Sequence, residues 1–229
     1  MKRLLGASAF AVAALASIDA IAAPCAQATY DTYLVAGFSC TVGDQTYSNF
    51  SFASTATGNG VAATANQIVV KPDDLAAPGS FGLAFSTGAI TVFGDNTGPA
   101  DSVDVTLDFI VTSESLIDDA LLAIAGSAVG PNSIISVGET LSNGKTLTAF
   151  IPGQAIDHIT FDPTNQLGVL KDAIAFSLNN FASLSAIRQN FSEIQNAVPE
   201  PATLGILGMG LLGVGLARRR RNRRAVQAA

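Results

Sequence analysis

SVDVTLDFIVTS, residues 102–113, decides the fold class. Val103, Val105, Leu107, Phe109 and Val111 fall on one side of an extended chain, and Asp104, Thr106, Asp108 and Thr112 on the other. Ile110 alone breaks the alternation. Period two with one wet face is the pattern of an antiparallel sheet that packs on a core and faces water with its other side. Working outward, further strands are predicted at residues 32–38, 45–52, 67–70, 81–86, 89–93, 120–125, 134–141, 145–151, 158–161 and 168–175. Turn chemistry separates them: Gly43-Asp44, Gly58-Asn59-Gly60, Pro78-Gly79, Gly94-Asp95-Asn96, Gly130-Pro131-Asn132 and Asp162-Pro163. Asn143-Gly144 between apolar residues predicts a hairpin with a type I′ turn. Residues 182–194 allow a short helix through Leu184, Ile187, Phe191 and Ile194, but are read as an edge strand. Many short strands at this spacing predict a mainly β fold, an antiparallel β-sandwich of jelly-roll type.

Both ends depart from this pattern. Residues 1–22 have Lys2 and Arg3, an apolar run and Ala20-Ile21-Ala22 as a small-x-small cleavage site, which is a secretory signal peptide. At the other end, residues 198–224 read VPEPATLGILGMGLLGVGLARRRRNRR. A polar tetrapeptide, Val198-Pro199-Glu200-Pro201, precedes an uncharged apolar run over residues 202–217. Six arginines follow: Arg218, Arg219, Arg220, Arg221, Arg223 and Arg224. Sixteen apolar residues in a helix span about 24 Å, short of the roughly 30 Å hydrocarbon core, so such a transmembrane helix inserts only if the bilayer thins. The arginines hold that end in the cytoplasm. Pro199 and Pro201 fix φ and remove two N–H donors, which keeps the tetrapeptide out of the helix.

This tail resembles the PEP-CTERM sorting signal of Gram-negative surface proteins. The resemblance implies recognition by exosortase, a membrane-embedded, cysteine transpeptidase-like enzyme. It also implies processing near Pro199-Glu200-Pro201, an inner-membrane precursor, and delivery of the body to the cell surface or extracellular matrix. A weaker resemblance extends into GFSCTVGDQTYSNFSF (residues 37–52), LGVLKDAIAF and FSE, which are similar to a common class of PEP-CTERM ectodomains. The domain reading is therefore a signal peptide at 1–22, an exported β domain at 23–197, the sorting signal at 198–224 and a short tail at 225–229. The middle segment is long enough for one sizeable core.

The formal charge of −6 conceals a polar split. Between residues 23 and 197 the only strong bases are Lys71, Lys145, Lys171 and Arg188, set against sixteen of the eighteen acids, which leaves the body at −12. That balance argues against nucleic acid and anionic membrane surfaces as partners of the body. Cys25 and Cys40, fifteen residues apart in an exported segment, predict one disulfide.

No catalytic constellation stands out. Ser142-Asn143-Gly144-Lys145 matches S-x-x-K, but a serine and lysine straddling a hairpin turn lack the helical spacing that chemistry needs. His158 lies between alternating apolar residues and is read as a half-buried structural side chain. Asp101, Asp104 and Asp108 resemble the paired carboxylates of a glycoside hydrolase, a reading that requires Asp104, Asp108 and Glu114 to converge on a cleft. No cofactor is called for; the acid-rich loops at residues 94–104 and 113–119 offer hard oxygen ligands for calcium, without EF-hand spacing. The functional expectation is a non-enzymatic surface or exopolysaccharide-associated matrix protein of the biofilm type, with exosortase as its processing partner. The alternative is an extracellular carbohydrate-binding module or hydrolase using the same delivery signal.

Overall fold

The structure, a computed structural model, describes residues 22–73, 79–96 and 100–194. Its elements in chain order are β1 (Ala23–Pro24), β2 (Ala28–Thr29), α1 (Tyr30–Tyr33), β3 (Ser39–Val42), β4 (Gln45–Thr57), β5 (Val69–Asp73), β6 (Ser80–Phe93), β7 (Asp101–Val129), β8 (Ser133–Leu141), β9 (Thr146–Ile151), β10 (Ile156–Ser177) and β11 (Phe181–Ile194). A single turn of 3-10 helix, Ala65–Gln67, precedes β5. The fold is mainly β, as the alternation predicts.

The jelly-roll sandwich is corrected. Instead of two separate sheets there is one continuous 11-stranded sheet, curled and open like a half-barrel, with β7 and β10 running through both of its halves. The first half of β7 pairs with β4 and with the second half of β10, which continues into β8 and β9. The second half of β7 pairs with the start of β10 and with β11, which continues into β6 and β5. The predicted signal-peptide helix and the transmembrane helix lie outside the described residues. Among the described residues, no helix is long and apolar enough to cross a membrane.

Bulges curl the sheet. Val103, Val105, Leu107, Phe109 and Val111 of β7 are fully buried. Past the bend at residues 113–116 the buried positions are Ile117, then Ala120 and Leu122. Asp118 has no partner in either neighbouring strand, so one extra residue moves the inward face from odd to even positions. Asn49, at φ +55, does the same in β4 between the pairs Ser48–Ile110 and Ser51–Asp108. Bulges of this kind add bend and twist while each side keeps its own alternation.

Ser185 is the bulge of β11, between the pairs Leu184–Gly126 and Ala186–Ala125. It explains the helical spacing of Leu184, Ile187 and Phe191: a strand that skips one position places its inward residues three apart. Residues 182–194 are a strand, but an interior one between β7 and β6 rather than an edge. The predicted strands at 81–86 and 89–93 merge into β6, and those at 158–161 and 168–175 into β10. Pro163 is tolerated because that part of β10 pairs on one side only.

Residues 32–38 are not a strand. Tyr30 and Tyr33, one helical turn apart in α1, are both buried, while Val35 is exposed. The Tyr30 hydroxyl donates to the carbonyls of Ser51 (3.0 Å) and Asp108 (3.2 Å), and that of Tyr33 donates to Ala26 (2.6 Å). Their rings meet Phe50, which stacks on Phe109 at 5.8 Å between centroids. The hairpin between β8 and β9 forms as predicted, but its turn is not type I′. Asn143 keeps a negative φ and only Gly144 is left-handed, at φ +81. The Gly144 N–H donates to Leu141 (2.9 Å) and the Leu141 N–H to Lys145 (2.8 Å), a three-residue loop with a bulge.

Cys25 and Cys40 are bonded, with an S–S distance of 2.09 Å, beside the parallel pairing of β1 with β3. Reduction should release the N-terminal segment from β3 and cost on the order of 3 kcal/mol of stability by the chain-entropy account. Mass spectrometry with and without reductant should differ by two hydrogens, and alkylation of both thiols in the unreduced protein would rule the bond out. Phe109→Ala, which empties the middle of the aromatic cluster, should cost about 3–5 kcal/mol in urea unfolding. A loss below about 1 kcal/mol, the scale of a tolerated core swap, would show that this cluster is not the centre of the core.

Candidate functional site

The described residues bring two polar groups together, one at the sheet's end and one inside it. The first forms where the β3–β4 turn, the bend of β7 and the end of β11 meet. Gly43 lets the turn lie flat: its φ is +62, and a Cβ there would sit 2.5 Å from the Phe81 ring. Asp44 follows and accepts a hydrogen bond from the Ser115 hydroxyl at 3.1 Å. The Ser113 hydroxyl donates to Glu193 Oε1 at 2.6 Å and accepts from the Ser115 N–H at 3.0 Å. Below them, fully buried Gln45 receives the Tyr47 hydroxyl at 2.6 Å and donates to the Phe191 carbonyl at 3.1 Å.

Two depressions share Asp44. One, of about 330 Å³, is lined by Asp44, Gly79, Phe81, Ser115, Glu193 and Ile194. The other, of about 560 Å³, takes in Thr41, Thr46, Thr112 and Glu114. Partial burial raises the Glu193 carboxyl above its ordinary value, the Ser113 hydroxyl opposes that, and proximity to Asp44 adds to it. Burial holds the Tyr47 phenol well above its ordinary value, with Glu193, Asp73 and Asp44 contributing. Glu193 and Asp44 line one depression beside Ile194, the end of β11.

The second group is enclosed by the curled sheet. Lys171 on β10 is fully buried, and its ammonium donates to Glu139 on β8 and to Gln189 Oε1 on β11. Lys171 and Glu139 are cross-strand partners, whereas Gln189 comes from the facing half of the sheet. Burial lowers the Lys171 pKa against the pull of Glu139, and raises that of Glu139 against the pull of Lys171. Both shifts favour the neutral forms. Glu139 Oε1 and Gln189 Nε2 are buried without a hydrogen-bond partner.

The remaining predicted residues scatter. Asp104 and Asp108 lie on the outer face of β7, while Glu114 lies at the bend, lining the larger depression, so the three do not converge. Asp104 does meet a carboxylate not singled out in the sequence, Asp172 of β10. His158 is corrected from half-buried to exposed, with Nε2 3.5 Å from Asp119. Ser142 accepts from the Gly168 N–H at 2.9 Å, a structural role at the hairpin. In the two acid-rich loops, Asp95 and Asp101 bind Asn59, and Asp119 accepts the Ser192 N–H. Among the described residues, no group of three or more histidines, cysteines and carboxylates is placed to hold a metal. Val198, Pro199, Glu200 and Pro201, and arginines 218–221, 223 and 224, lie outside the described residues.

A family described as the PEP-CTERM protein-sorting motif matches residues 197–221. No curated protein matches the chain. Among solved structures, a carbohydrate-binding module, TmCBM61, in complex with β-1,4-galactotriose is similar over 60% of this chain and 86% of its own, at 9% identity and a TM-score of 0.27. A GH31 α-xylosidase from Xanthomonas citri is similar over 68% of this chain and 25% of its own, at 6% identity and a TM-score of 0.19. Likeness at that level bears on neither ligand nor chemistry. The chain thus carries a PEP-CTERM sorting motif, which implies exosortase as the processing partner and export through the membrane to the cell surface.

One pH effect follows from the outer face. Burial, then a hydrogen bond and charge from Asp172, push Asp104 from 3.8 up to about 6. A carboxyl with a raised folded pKa holds its proton more tightly in the folded state, so the protein gains from this group as pH falls from about 6 toward 3.8. Above pH 6 the cost of ionising it is fully present. Asp104→Asn should therefore stabilise the protein at pH 7, by less than about 1 kcal/mol given its exposure. Thermal melts across pH 4–7 should show the gap between parent and variant closing toward acid; parallel curves would refute the coupling.

Proposed function

We propose that this chain is an exported surface or extracellular-matrix protein, cleaved by exosortase near Pro199-Glu200-Pro201 and acting without catalysis in an exopolysaccharide-rich matrix. The sorting motif at residues 197–221 carries this reading. Three features of the body support it. Its acids outnumber its strong bases by sixteen to four, which keeps it soluble once released. Its disulfide suits an oxidising compartment. The motif begins three residues after β11 ends at Ile194, so cleavage at the tetrapeptide leaves every strand of the sheet in the released part. The arginines act before cleavage, orienting the precursor in the inner membrane.

Expression with and without exosortase tests the reading, using a C-terminal tag, an antibody to the body and membrane fractionation. The parent should lose its tag and leave the membrane only where exosortase is present. The double variant Pro199→Ala, Glu200→Ala should accumulate as a full-length membrane precursor, because neither change touches the apolar run. Normal release of that variant, or an unchanged mass and location of the parent in both strains, would overturn the proposal.

A further inference from the structure

We propose that Lys171 and Gln189 become joined by an intramolecular isopeptide bond inside the sheet, with Glu139 moving the protons. The residues needed are already assembled. The Lys171 nitrogen touches the carboxylate of Glu139 and the amide oxygen of Gln189. The Gln189 amide carbon lies about 1.23 Å beyond that oxygen. All three residues are buried, Lys171 and Gln189 completely, so water is kept from competing as a nucleophile.

The chemistry balances with no outside reactant. Glu139 takes a proton from the Lys171 ammonium and leaves an amine. The amine's lone pair attacks Gln189 Cδ, forming the Nζ–Cδ bond as the carbonyl π electrons move onto Oε1. The carbonyl then re-forms and the Cδ–Nε2 bond breaks, its electron pair leaving with the nitrogen. Glu139 gives the proton it took to that nitrogen, which departs as ammonia, and accepts one from the attacking nitrogen, so that the new amide keeps a single N–H and Glu139 ends as the neutral acid. Nothing is oxidised or reduced; one primary amide becomes one secondary amide.

Three observations favour reaction over a passive ion pair. Burial shifts both Lys171 and Glu139 toward their neutral forms, an amine nucleophile beside a carboxylic acid. The two orphan atoms, Glu139 Oε1 and Gln189 Nε2, are the proton carrier's second oxygen and the leaving nitrogen. The partners come from strands that the fold holds face to face, and such positioning is worth effective molarities of about 10⁵–10⁸ M in intramolecular reactions. The bond would tie β10 to β11 across the core, between the two halves of the open sheet.

Peptide mapping of the full chain purified from producing cells tests this without any variant. Trypsin does not cut after an acylated lysine. The expected product is a branched peptide joining residues 146–188 to the peptide that begins at Gln189, lighter than the two together by one ammonia. Glu139→Gln should leave the peptides linear. Recovery of the unmodified peptides 146–171 and 172–188 from the parent would overturn the proposal. Loss of one water instead of ammonia, with the branch at Glu139, would overturn Gln189 as the acyl donor. A branched peptide from Glu139→Gln would remove Glu139 from the mechanism.

Discussion

A strand of 29 residues, Asp101–Val129, would reach about 95 Å if straight. A compact chain of about 170 residues has a radius of gyration of only about 16 Å. The strand must therefore bend, and it must do so without turning its apolar face outward. The bend at residues 113–116 and the extra residue at Asp118 meet both demands, since the first changes direction and the second resets which side chains point inward. Everything else follows this strand. β4 covers its first half, β11 its second, and β10 runs along both. The aromatic cluster around Phe109 and Phe50 fills the first half of the curl, capped by the two tyrosines of α1.

An open sheet that curls on itself leaves the question of what holds its facing halves in register. Apolar packing is only weakly directional. The Lys171–Glu139–Gln189 bridge is directional: it demands that β8, β10 and β11 meet at one point in the core. As an ion pair it offers little net stability, because desolvating both charges offsets most of their attraction. Removing one partner would strand the other in an apolar interior. A second tie lies nearer the surface, where Arg188 grips buried Asp73 through two 2.7 Å hydrogen bonds and links β11 to β5. Thus β11, the last described strand, is held by polar contacts to β5, to the bend of β7 and to the buried Lys171 of β10.

That placement matters for an exported protein. β11 ends at Ile194, where Asp44, Glu193, Ser113 and Ser115 close the end of the sheet. The Ser113–Glu193 bond and the Arg188–Asp73 pair anchor β11 on either side of that end.

The C-terminal end of the chain and its β class were legible locally. Of the two ends, the C-terminal one is matched by the sorting motif at residues 197–221; its apolar run with arginines behind it, and the period-two alternation of the body, are written in neighbouring residues. So was the disulfide, from compartment and separation, and the hairpin at Asn143-Gly144. The inward lysine was legible too: Lys171 keeps phase with Leu167, Val169, Ala173 and Ala175, Glu139 with Ile135, Val137 and Leu141, and Gln189 with Ile187 and Phe191. Each of the three reads as a polar residue on an apolar face. What no local pattern could say is that the three meet, because Gln189 belongs to a strand that does not pair with β10 or β8. The same holds for the bulges at Asn49, Asp118 and Ser185. Each inverts the inward face of everything downstream, and whether a residue is skipped depends on the register of the neighbouring strand. Alternation is a property of one chain segment; register and closure belong to pairs of segments far apart in sequence, and only the tertiary structure decides them.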